Sequence, residues 1–259
     1  MNASLPNTAA DAATGASTAG MAPMPLRGRR VTDAPTRAMH ALLALSFAGA
    51  WITAESEHWR LVHVTLGYTA GGVLLARVLY GLFGPRQARL QNLVGKLKAL
   101  PGWLSDFRGP LPAGHWRQAQ NLAMALAIAV LMLGMVPLVL SGYVTYQDVG
   151  GWTGEAMEEL HEFFGNGLLL AVFAHLGLIL GLSLLRGQNQ AAPMLTGRLP
   201  GKGPDLARRN HGWLAAFIVA AVLAFWAWQW QTAPNAPNSL LGDGARATLL
   251  ERGHGDHDD

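Results

Sequence analysis

His161 and His175 lie 14 residues apart in a stretch of chain that is otherwise almost wholly apolar. On an α-helix that spacing advances about 21 Å along the axis and returns within about 40° of the same face. One helix can then offer an imidazole near each side of a bilayer. Neutral imidazole is a common ligand of haem iron, so the spacing suits two stacked cofactors. Two further histidines, His40 and His63, open other apolar segments.

The elements that must hold these side chains follow from composition. The chain has 259 residues, of which 51% are hydrophobic and 14% charged. A soluble domain carries about a quarter charged residues, so the class is an all-α integral membrane protein. Cysteine is absent. That excludes disulfides, thiolate-bound zinc, iron–sulfur clusters and covalently attached c-type haem, and leaves histidine or methionine to hold any iron. The net charge of +3 does not point to nucleic acid, because the basic residues gather in alternate loops.

Five apolar segments are expected to span the membrane, at 38–54, 62–83, 118–143, 160–185 and 212–230; a helix needs about 20 residues to cross the hydrocarbon core. The polar loop 84–117 contains a candidate amphipathic stretch at 90–107. Residues 1–30 and 233–259 read as flexible tails. Lys and Arg cluster before the first span (Arg27, Arg29, Arg30, Arg37), in the 84–117 loop and in 186–209, whereas the opposite loops are acidic. The positive-inside rule then places the N-terminus in the cytoplasm and the C-terminus across the membrane.

This topology sorts the histidines by depth. The first span runs outward, so His40 lies on the cytoplasmic side. The second and fourth run inward, which puts His63 and His161 outside and His175 inside. The depths pair His63 with His161, and His40 with His175. Two bis-histidine haems in a four-helix bundle are the expected outcome. Ionisable groups inside membranes are rare and functional by default. His58, His115 and His211 have a plainer reading as interfacial residues near loop ends, and His254 and His257 belong to a solvated tail. Gly67, Gly71, Gly72, Gly165 and Gly167 suit close approach to a macrocycle or plain helix packing. Arg77, inside the second span, should face a haem propionate, snorkel to the cytoplasm or meet a carboxylate. Pro137 should bend the third span.

The segments Arg37-x-x-His40, His63-x-x-x-Gly67-Tyr68, Arg77-x-x-Tyr80-Gly81-x-x-Gly84, Glu159-Leu160-His161, His175 and Met194-Leu195-Thr196-Gly197-Arg198 carry a resemblance. Over about 37–198 the chain resembles the bacterial cytochrome b561 and nickel–iron hydrogenase b-type cytochrome subunits. The resemblance implies a four-helix di-haem bundle, here with a fifth C-terminal transmembrane helix. It implies that His40, His63, His161 and His175 ligate two haem b irons, with Arg37 and Arg77 as further cofactor-binding residues. It also implies electron transfer between the quinone pool and a redox protein such as a c-type cytochrome, a dehydrogenase or a hydrogenase. Ala41 stands where the family often has Trp, and Gly114-His115-Trp116-Arg117 where it has Gly-His-Asn-Pro.

The domain plan is a tail over 1–30, a cytochrome b domain over 31–200, a fifth helix within 201–232 and a tail over 233–259. The expected location is the bacterial inner membrane. The outer acidic residues Asp148, Glu155, Glu158 and Glu159 could receive a basic partner, or simply complement the basic inner loops. Glu162 and Tyr143 are outer-side candidates for handling protons, and quinol or quinone is the expected substrate. Competing readings are a haem-free proton or ion transporter and a membrane anchor of a redox enzyme. Direction of electron flow, quinone type, partner and self-association, including a homo-oligomer, stay open at this point.

Overall fold

A computed structural model describes residues 28–106, 115–147, 152–201 and 203–232. Residues 1–27 of the expected 1–30 tail and the whole 233–259 tail, with His254 and His257, lie outside the described residues, as does Asp148.

The first ordered segment is the strand β1, Arg29–Arg30, which pairs antiparallel with β2, Arg198–Leu199. The expected tail therefore gives way to structure at its last residues, because the partner strand 170 residues later satisfies its backbone. Gly197, at φ +76°, makes the turn into β2 and accepts the Val31 amide at 2.9 Å. A Cβ there would fall 2.9 Å from the Thr32 carbonyl oxygen, and a side chain would resist that φ.

Helix α1, Ala34–Ile52, starts on Asp33, whose carboxylate accepts the Thr36 amide at 3.2 Å, with Pro35 in the first turn. Both are favoured N-terminal choices. Helix α2, Arg60–Phe83, follows a single 3-10 turn at Glu57–Trp59 and stops at Gly84-Pro85. The 84–117 loop then forms two short helices, α3 (Gln91–Leu97) and α4 (Leu100–Asp106). Helix α5, His115–Tyr146, passes unbroken through Pro137. Helix α6, Trp152–Arg186, is the longest, at 35 residues. A short α7, Ala192–Leu195, precedes β2, and α8, Gly212–Thr232, closes the described chain.

Among the described residues four segments are long and apolar enough to cross a membrane: Glu57–Phe83, His115–Tyr146, Thr153–Arg186 and Gly212–Thr232. The first expected span, α1, falls short of that description because its first turns carry Arg37 and His40, not His40 alone. It still packs along α2 and α8, and at about 1.5 Å per residue its 19 residues reach about 28 Å. Helices α5 and α6 extend past the expected limits at both ends.

Helices α5 and α6 pack along each other, α1 lies along α2, and α2 meets α5. Ala70 and Leu74 of α2, Met135 of α5 and Leu168 of α6 form the buried centre, with Leu43 and Phe47 of α1 against it. This is a four-helix arrangement with a mid-bilayer plug of aliphatic side chains. At one end, the Arg186 guanidinium donates to Gln120 Oε1 at 2.9 and 2.7 Å, locking the end of α6 to the start of α5. Helix α8 is apolar all round and attaches to the outside of the bundle. Its Trp226 Nε1 donates to Thr69 Oγ1 at 2.8 Å. Trp226→Phe is expected to cost about 1 kcal/mol, seen as a fall of a few degrees in thermal midpoint in detergent.

Candidate haem-binding site

His63 lies in the first turn of α2 and His161 about two and a half turns into α6. Their rings meet, with centroids 6.0 Å apart and planes inclined by 75°. The backbone fixes which nitrogen of each ring is free. His63 Nδ1 donates to the Ala50 carbonyl at 2.8 Å. Ala50 lies in the last turn of α1, where carbonyls lack backbone partners, and its carbonyl accepts the imidazole as well as the Thr53 hydroxyl at 3.2 Å. His161 Nδ1 donates to the Leu138 carbonyl of α5 at 2.9 Å. A carbonyl can only accept, so both rings carry their proton on Nδ1 and keep the Nε2 lone pair. That is the metal-binding tautomer, held by the type of outer hydrogen bond that orients metal-bound histidine.

The separation is meaningful. Two imidazoles on opposite sides of one metal, each bonded at about 2 Å, place their ring centres about 6 Å apart. Gly142 of α5 makes room for this ring, since a Cβ at that position would lie 2.6 Å from His161 Cε1 and 2.8 Å from Nδ1. Gly67 and Gly72 of α2 have open space where a side chain would project.

The second couple is looser. His40 stands on the second turn of α1 and His175 on α6, near enough for an electrostatic interaction between them. No ring contact joins them among the described residues. His175 Nδ1 is buried with no hydrogen-bond partner. A buried polar nitrogen without a partner is costly unless it has a function. Among the described residues no three His, Cys, Asp or Glu side chains converge on one point. Paired imidazoles suffice for a metal that brings its own equatorial donors, as iron in a porphyrin does. The donor set fits haem.

The two arginines are engaged elsewhere. Arg37 donates from Nε to Met194 O at 3.3 Å and from Nη2 to Leu195 O at 2.6 Å. It caps the last carbonyls of α7, as cations do at helix C-termini. Arg77 donates to Ala88 O at 3.2 Å and lies in the field of Asp33 and Tyr80. Asp33 acts on it at a distance and forms no ion pair with it. Asp33 is itself 1% exposed and accepts the Tyr80 hydroxyl at 2.6 Å. Sequence reasoning missed Asp33. The signal was available: an Asp just before a Pro-containing helix start reads as an N-cap.

The remaining histidines separate from the site. His58 is exposed and leans edge-on against Trp59. His115 is 8% exposed and stacks on Trp103 with centroids 5.1 Å apart, joining α4 to α5 rather than anchoring beside Trp116. The His211 carbonyl accepts the Leu214 and Ala215 amides at the start of α8. Glu155, Glu158, Glu159 and Glu162 are exposed and helical, on α6 rather than in a loop.

The model of the prokaryotic cytochrome b561 family matches residues 31–197, a span that includes all four paired histidines and ends short of α8. No curated protein and no solved structure matches the chain. Family match, transmembrane helices and imidazole geometry converge: the chain belongs to the prokaryotic cytochrome b561 family, the multi-pass membrane b-type cytochromes of electron transfer.

Proposed function

We propose that the chain holds two haem b groups, one between His63 and His161 and one between His40 and His175, and passes electrons across the bilayer between the quinone pool and a redox protein. The observation that carries this reading is the contact of the His63 and His161 rings at 6.0 Å, each ring pinned through Nδ1. When bound, haem supplies a one-electron couple whose potential the protein adjusts through ligation, burial and nearby charge. The chain's own part is to orient four imidazoles, exclude water with the aliphatic plug and set the spacing. His161 and His175 are about 21 Å apart along α6.

The end that carries His63 and His161 faces the periplasm in this reading, with the N-terminus in the cytoplasm. Arg86, Arg89, Lys96, Lys98, Arg198, Arg208 and Arg209 belong to the opposite end, as the positive-inside rule asks. A basic redox protein would then meet the exposed glutamates of α6. The plan of a 31–200 haem domain with an added span over 201–232 accords with α8 packing outside the α1–α2–α5–α6 group.

The test is a reduced-minus-oxidised visible spectrum with haem and protein quantified together. A b-type α-band with two haems per chain is the expected result. His175→Ala is expected to lose one haem and keep the other, with transmembrane electron flow falling at least tenfold. A stable, colourless wild-type preparation overturns the proposal in favour of transport or anchoring, and retention of both haems in His175→Ala overturns the pairing.

A further inference from the structure

The two carbonyls that pin the paired rings have a second donor each. Leu138 O accepts the His161 Nδ1 proton at 2.9 Å and the Ser141 hydroxyl at 3.1 Å. Ala50 O accepts the His63 Nδ1 proton at 2.8 Å and the Thr53 hydroxyl at 3.2 Å. In both cases the hydroxyl stands three residues after the carbonyl, on the same helix. Helices α1 and α5 thus arrive separately at one arrangement of imidazole, backbone oxygen and hydroxyl. Neither residue stands out in the sequence, because Ser and Thr commonly bond back into their own helix.

Both hydroxyls are held in place. Ser141 is 2% exposed and precedes Gly142, the residue against the His161 ring. Thr53 is the C-cap of α1, and its hydroxyl also reaches Gly49 O at 2.8 Å. The single Thr53 proton is divided between two carbonyls, so the larger effect belongs to Ser141. In the other couple, His175 Nδ1 is buried with no hydrogen-bond partner. The shared carbonyls are therefore a property of the His63–His161 end.

The arrangement bears on how strongly each ring donates electrons. A hydrogen bond given by Nδ1–H makes the imidazole more basic at Nε2. A carbonyl that already accepts a hydroxyl proton has less electron density to offer a second donor. The hydroxyl therefore weakens the bond from the ring and lowers the basicity of Nε2. For an iron held between two such rings, weaker donation favours the reduced form over the oxidised one. Neighbouring hydrogen bonds alter one another by about 10–30%, enough to move a redox equilibrium and too little to decide whether iron binds.

We propose that Ser141 and Thr53 are positioning residues that raise the reduction potential of the haem held by His63 and His161. Each draws on the carbonyl that anchors one ring and acts only through that histidine. The proposal rests on the haem reading of this pair.

The test is an equilibrium redox titration of the purified full chain, followed at the α-band, with haem per chain and thermal midpoint measured on the same preparations. The couple that survives in His175→Ala identifies the His63–His161 haem. Ser141→Ala is expected to shift that couple about threefold toward the oxidised form at a fixed potential, about 28 mV downward for one electron. Thr53→Val should shift it the same way by less, and the double variant further than either. Thr53→Ser, which keeps the hydroxyl, should match the wild type. The second couple and the haem content should not move. A potential that stays or rises in Ser141→Ala overturns the proposal, as does an equal fall of both couples, which signals a general change in packing. Loss of the haem in Ser141→Ala with no shift in Thr53→Val overturns it too. A wild-type chain that binds no haem defeats the electron-transfer reading itself, whereas two haems whose potentials ignore both hydroxyls defeat this proposal alone.

Discussion

Gly142→Val is expected to remove one of two haems although it alters no imidazole. The valine Cβ would meet His161 Cε1 at 2.6 Å, inside any tolerable contact. The ring must swing away, breaking its 2.9 Å hydrogen bond to Leu138 O and the alignment with His63. Loss of an outer hydrogen bond to a metal-bound histidine costs about 10–100-fold in affinity. Displacement by about 1 Å adds to that, because His63 and His161 would then no longer be placed to hold one haem together. His161→Ala should give the same haem ratio, falling from two per chain to one. Gly142→Ala places its Cβ at the same point and should lose the same haem. Spectra that show two haems in Gly142→Val would mean that the ring is not held where iron needs it.

Asp33→Ala is expected to destabilise the protein by about 3 kcal/mol, a drop of about 10 °C in thermal midpoint. Three losses combine. The α1 cap disappears, worth about 1 kcal/mol. The Tyr80 hydroxyl loses its acceptor at 2.6 Å, and Arg77 loses the carboxylate whose field it shares. Asp33→Asn should recover most of the cap while leaving the arginine uncompensated. A double-mutant cycle of Asp33→Ala with Tyr80→Phe should show a coupling of about 1 kcal/mol or more. His40 follows Asp33 by seven residues, two turns on nearly the same face of α1. The inner haem should therefore loosen in Asp33→Ala, while the His63–His161 end stays intact. Equal loss at both ends would show general unfolding instead.

What the sequence disclosed and what it concealed divide along physical lines. The meeting of His63 and His161 was legible because depth in a bilayer is one-dimensional. Helical rise and the alternation of basic loops suffice to compute it. The same arithmetic cannot say which way a long side chain turns. Arg37 reaches α7 carbonyls 157 and 158 positions away, and Arg77 turns to the Ala88 carbonyl. Flexible guanidinium groups seek whatever acceptor the tertiary fold supplies. His115 shows the same limit, since its partner Trp103 stands on α4, 12 positions earlier, rather than beside it in the chain. The β1–β2 pairing was concealed because two-residue strands carry no periodicity.

The length of α6 has a consequence for encounters with other proteins. Its 35 residues rise about 52 Å, and tilt within the usual range cannot hide that in about 30 Å of hydrocarbon. Residues 152–162 hold four glutamates and 163–185 no charge, so the excess rises through and past the headgroups as a stiff mast about 16 Å long. A visiting protein would find its negative charges already mounted on a rigid support, with little ordering entropy to lose on arrival. At the foot of that mast is His161, which leaves only a short gap between the landing point and the paired imidazoles.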